Sequence, residues 1–169
     1  MSNLLRDQLF ELVKSLSKAE KRHFKLYANR NAGSDSSKKE LKFLKLFDLL
    51  DKMKAYDEAK IKQYFGSLNP SQLSNLKAHL YDQLLISLRL LHHLDPSIRI
   101  QELLSFAHVL YGKGLYSQSL VQLGKAKQLA QKHRDVAAQL EIVEFEKQIE
   151  NRHITRSKRG RAQDLIKES

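Results

Sequence analysis

The stretch from Glu102 to Ala130, ELLSFAHVLYGKGLYSQSLVQLGKAKQLA, constrains this chain more than any other. Apolar residues recur at spacings of three and four on both sides of a short segment that holds Gly112 and Gly114. That period belongs to amphipathic helices, and glycine is the residue that most readily ends one helix and turns into the next. The stretch therefore reads as two antiparallel helices joined by a tight glycine turn. Such a pair leaves open faces that neighbouring helices must cover, so it implies a stack and excludes a sheet protein.

Helix signals fill the rest of the chain, and strand signals are nearly absent. The first helix is expected over about 3–16, with Leu5, Leu9, Leu12, Val13 and Leu16 as its stripe and Leu4 beside it. Ser17-Lys-Ala-Glu20 has the form of a capping box, in which serine and glutamate each satisfy a free amide of the first turn. It opens a second helix to about Asn29. The polar tract 31–37 reads as a loop, followed by a second box at Ser37 to Glu40. A third helix buries Leu41, Leu44, Phe47 or Leu46, Leu50 and Met53, and a short fourth runs from Glu58 to Phe65 and stops at Gly66.

Asn69-Pro70 is a strong helix start, since asparagine caps and proline is tolerated at the first helical position. The fifth helix, from Pro70 to about His93, carries Leu73, Leu76, Leu80, Leu84, Leu85, Leu88 and Leu91, with Tyr81, Ile86, Leu90 and Leu94 widening the apolar surface. A helix apolar over so much of its circumference is contacted from several sides. Asp95-Pro96 repeats the cap-plus-proline signal and places a boundary near residue 95. The expected division is a helical bundle over 1–95 and a repeat region over 96–169.

Within that second region, Leu103, Phe106, Ala107 and Leu110, then Gly114 and Tyr116, then Ser119, Leu120, Leu123, Ala126 and Leu129 follow a recognisable order. From about Ile100 to Arg134 the chain resembles one tetratricopeptide repeat, the helix-turn-helix unit of about 34 residues. Small residues at 107, 119 and 126 suit close helix approach, and Gly114 suits the left-handed conformation at a helix end. The usual tryptophan and the closing proline are absent, Leu110 stands where tyrosine is common, and Ser119 replaces an alanine. The resemblance covers about a fifth of the chain. It implies an all-α fold, a helical bundle leading into a TPR-like right-handed antiparallel stack of the α-solenoid type, and non-enzymatic protein–protein recognition of a partner segment.

After Asp135, a potential cap, another helix is expected with Leu140, Val143 and Ile149 or Phe145 inward. The tail from Arg156 has Ala162, Leu165 and Ile166 at helical spacing, so the array ends as though cut short, with self-association through its last helices as one expected consequence.

Composition narrows the function classes. There is no cysteine, hence no disulfide, thiolate nucleophile or cysteine zinc site. The amino terminus mixes Asp7 and Glu11 with leucine and so lacks a signal-peptide core, and no segment approaches the roughly 20 apolar residues of a membrane span. A cytoplasmic protein that does not enter membranes is expected. Catalytic motifs are missing, and the adjacent His92 and His93 diverge by roughly 100° on a helix, which does not suit joint chelation. No enzyme, cofactor or metal is expected.

The net charge of +11 is uneven: residues 1–95 hold 17 basic against 11 acidic side chains, 96–150 hold 7 against 6, and 151–169 hold 6 against 2. Lys18, Lys21, Arg22 and Lys25 form one helical stripe, and Lys38, Lys42 and Lys45 another. Aligned cations can follow a phosphate backbone, which makes a nucleic-acid-binding or regulatory role the alternative reading. Against it, Glu20, Asp48 and Asp51 interrupt the field, and lysine predominates over the arginine that reads bases. The tail cluster Arg152, Arg156, Lys158, Arg159 and Arg161 is the densest.

Overall fold

The computed structural model describes the backbone over residues 2–31 and 37–153 and side chains over 8–30 and 42–151. Within those limits the protein is all-helical, with eight helices and no strand: α1 (Ser2–Ser15), α2 (Lys18–Asn31), α3 (Ser37–Lys52), α4 (Glu58–Tyr64), α5 (Pro70–Leu91), α6 (Pro96–Gly112), α7 (Tyr116–His133) and α8 (Val136–His153). The side chains of Leu4, Leu5 and Leu41, the Ser37 box, the Lys38 side chain and the basic tail, all expected from the sequence to matter, lie outside the described residues. The chain divides into two compact units, 1–92 and 93–169.

Caps read from the sequence account for four of the eight described helix starts. Ser17 and Glu20 close their box, the Ser17 amide donating to Glu20 Oε2 at 2.7 Å and the Glu20 amide to Ser17 Oγ at 3.3 Å. Asn69 and Gln72 form a reciprocal pair at 2.8 and 3.0 Å around Pro70. Asp95 accepts from the amides of Ser97 and Ile98, and Asp135 from that of Ala138. Each such cap is worth about 1 kcal/mol.

The core of the first unit gathers Leu9, Val13 and Leu16 of α1, Phe24 and Ala28 of α2, and Phe43, Leu46, Phe47, Leu50 and Met53 at and just beyond α3. Ile61, Phe65, Leu73, Leu80 and Leu84 complete it. Helix α5 packs against α1, α2 and α3, as its broad apolar surface requires. That surface does not include Leu85, Leu90 and Leu94, which are exposed. Two polar residues of α5 are buried in their stead. Ser87 Oγ lies 2.9 Å from His23 Nδ1 of α2, and Lys77 Nζ donates to Glu58 Oε2 at 2.7 Å and to the Tyr56 hydroxyl at 3.0 Å. A buried ammonium is tolerable only with partners of this kind.

In the second unit α7 packs on both α6 and α8, and α6 also touches α8. Ile100, Leu103, Leu104, Ala107, Leu123, Ala126, Ala130, Ala138, Ile142, Phe145 and Ile149 form the core. Leu140, expected inward, is 64% exposed. The buried stripe of α8 is Ala138, Ile142, Phe145 and Ile149, which obeys the same three-and-four spacing in a shifted phase. Ala138 takes the inner position four residues before Ile142, while Leu140, two residues on, falls on the opposite side of the helix.

Candidate functional site

In the second unit α6 and α7 are joined by a turn over 110–116. Lys113 ends α6, the Gly114 amide donates to the Tyr111 carbonyl at 2.9 Å, and the Leu115 amide to the Leu110 carbonyl at 3.0 Å. Those two bonds are a Schellman closure, which needs a left-handed residue at its penultimate position. Gly114 supplies it with φ of +76°. Helix α7 then starts without a side-chain cap.

The residues singled out for the repeat occupy this hairpin. Leu103, Ala107, Ser119, Leu123 and Ala126 are buried; Leu110, Tyr116 and Leu120 are half-buried; Phe106 is exposed. Ser119 Oγ donates to the Ala107 carbonyl at 2.8 Å, so the hydroxyl that replaces alanine is satisfied inside the contact. Tyr116 lies against Tyr111 with ring centroids 5.6 Å apart.

Seated on α7, helices α6 and α8 bound a groove of about 480 Å³ lined by His108, Glu141, Glu144, Phe145, Lys147, Gln148 and Asn151. Its floor is aromatic. His108 stacks on Phe145 at 4.1 Å with planes 16° apart, and Tyr111 meets Phe145 edge-on at 5.5 Å. Glu144 and Lys147 pair with each other at 3.1 Å, while Glu141 has no cation partner among the described residues. None of the α8 groove residues stood out in the sequence as a binding set. The spacing 141, 145, 148 marks one helix face, but only the pairing of α8 with α6 brings His108 to it.

The basic stripes take a different form from a continuous cationic strip. Lys21 pairs with Asp51 at 2.7 Å and Lys25 with Asp48 at 2.7 Å, joining α2 to α3, and Lys14 donates to the Asp51 carbonyl at 2.6 Å. Lys18, Arg22, Lys42 and Lys45 are exposed. Lys42 borders a second concavity of about 540 Å³ with Leu68, Gln72, Asn75, Leu76 and His79, in which Gln72 is already engaged as a cap.

Among the described residues no group of three or more histidine or acidic side chains is placed to hold a metal, and no helix is long and apolar enough to cross a membrane. Glu20 has its carboxyl held below the usual range by the Ser17 amide first, then the Ser17 hydroxyl, then His92 Nε2 at 3.3 Å. No protein-family model, curated protein or solved structure matches the chain.

Proposed function

We propose that the protein is a non-enzymatic, cytoplasmic interaction module whose TPR-like α6–α8 stack docks a segment of a partner protein in the groove between α6 and α8. The observation that carries the reading is the groove itself, a concavity with an aromatic floor and a polar rim, bounded by two helices that a third holds in place. The hairpin geometry around Gly114 and the buried small residues at 107, 119 and 126 support the repeat resemblance. The test is selection of displayed random peptides on the whole chain, repeated on Gln148→Trp, which fills the groove from an exposed position. Peptides that bind the native chain and lose binding to the variant support docking; a selection with no such peptide removes it.

Nucleic-acid binding is the competing reading, favoured by exposed Lys18, Arg22, Lys42 and Lys45. The ion pairs of Lys21 and Lys25 work against it. Duplex DNA should bind only at the non-specific level, roughly 10–100 µM at physiological salt. Sub-micromolar binding abolished by joint reversal of Lys18, Arg22 and Lys45 to glutamate would move the first unit to this class.

Self-association is a further expected contact. Val136 and Leu140, exposed and one turn apart on α8, support it, and sedimentation of Leu140→Glu against the native chain tests it.

A further inference from the structure

The dimensions and charge of the α6/α8 groove narrow what it takes. From Glu141 to Asn151 the groove-lining face of α8 extends ten residues, about 15 Å at 1.5 Å per residue. A helical guest satisfies its own backbone and presents only side chains, whereas an extended guest brings unpaired N–H and C=O groups that polar side chains of the groove can meet. An extended segment rises about 3.3 Å per residue, and four or five residues match the 15 Å length.

Charge selects among extended segments. Glu144 and Lys147 offset one another, which leaves the Glu141 carboxylate as the uncompensated charge on the rim among the described residues. The protein as a whole carries +11 and at long range favours acidic partners. At physiological salt, however, fields between exposed groups decay over about 8 Å, so a docked peptide senses the local carboxylate more than the distant excess of lysine. Gln148 and Asn151, exposed on the same face, each offer an amide donor and acceptor, the groups that suit an unpaired peptide backbone.

We propose that the groove binds an extended peptide segment of four or five residues bearing a lysine or arginine, whose cation is received by Glu141, whose backbone is met by Gln148 and Asn151, and which rests on the His108–Phe145 stack. This deepens the docking reading and rests on it. A preference for basic residues in so basic a protein is opposite to what net charge suggests, and that makes it sharp.

The test is the random-peptide selection carried out at 0.15 M salt on the native chain, on Gln148→Trp and on Glu141→Lys, all three checked by circular dichroism for native helicity. The expected result is a set of groove-dependent peptides with lysine or arginine enriched at one position, a roughly tenfold loss of their affinity on Glu141→Lys, and enrichment of aspartate or glutamate there when the variant is the bait. Groove-dependent peptides without a basic preference, or with an acidic one, overturn this inference and leave docking standing. Absence of any peptide sensitive to Gln148→Trp overturns both.

Discussion

Two helix ends in the second unit have the same closure but different residues at its left-handed position, and this permits a paired prediction. At the end of α6 that residue is Gly114, with φ of +76°. At the end of α7 the Asp135 amide returns to the Ala130 carbonyl at 2.9 Å and the Arg134 amide to that of Gln131 at 3.2 Å, and the left-handed residue is Arg134, with φ of 56°. A β-carbon added at Gly114 meets nothing within 4 Å, so the cost of Gly114→Ala is backbone strain without a clash. That strain is about 1–2 kcal/mol, offset by about 0.4–1 kcal/mol because alanine restricts the unfolded chain. A net loss of about 1 kcal/mol is expected. Arg134→Gly should move in the opposite sense, gaining up to about 1 kcal/mol less about 0.3 kcal/mol for the cation lost at a helix C-terminus. Gly124, inside α7 and also with open space around its β-carbon, serves as control: Gly124→Ala should stabilise by about 0.8–1 kcal/mol. Thermal unfolding reads all three. Each kcal/mol corresponds to about 2–4 °C if the chain melts as one and about 4–8 °C if the second unit melts alone. A Gly114→Ala variant as stable as Gly124→Ala would refute the claim that the turn imposes the left-handed conformation.

Lys77→Ala should destabilise the first unit by about 2–3 kcal/mol, since it removes charge-assisted bonds from a buried ammonium to the half-buried Glu58 carboxylate and the Tyr56 hydroxyl, and urea unfolding of Lys77→Met with Glu58→Gln should recover part of the loss. Ile142→Ala should cost about 2–4 kcal/mol by opening a cavity in a fully buried site, whereas Leu140→Ala should change stability by less than about 0.5 kcal/mol; equal effects would reinstate the other phase of α8. The Glu20 carboxyl is depressed in the folded state, so its contribution is present above its unfolded value of 4.5 and fades as pH falls through the lower folded value. Glu20→Gln should therefore flatten the stability profile below pH 4.5, as denaturant midpoints across the acid range will show.

Much of the fold was legible because the physics that sets it is local. Ser17, Asn69, Asp95 and Asp135 announce helix starts through side-chain oxygens that reach amides three residues away, and no tertiary contact is needed to see this. Gly114 announces a turn because glycine takes positive φ without strain. Arg134 adopts nearly the same conformation with no such mark, since the closure of α7 holds it there and nothing in its own chemistry reveals it. The phase of α8 was misread for a related reason. A hydropathy pattern counts Leu140 above Ala138, but the buried face is fixed by Ile142, Phe145 and Ile149 together, and Ala138 shares that face while Leu140 does not.

The candidate site was legible only in part, because it depends on which helices meet. Along α2, Lys18, Lys21, Arg22 and Lys25 form a basic stripe near Glu20; once α3 lies alongside, Asp51 and Asp48 pair with two of these cations and the stripe becomes a seam between helices. The reverse holds at the groove. Glu141, Phe145, Gln148 and Asn151 look like ordinary helix surface until His108 from α6 stacks on Phe145 and converts one helix face into one wall of a cavity. The sequence names Asp48 and Asp51 as interruptions of the lysine stripe but not which cations they meet, and it gives Glu141 no prominence. In the proposed docking Glu141 is the group that counts, since with no cation partner among the described residues it retains its attraction for one brought by a partner.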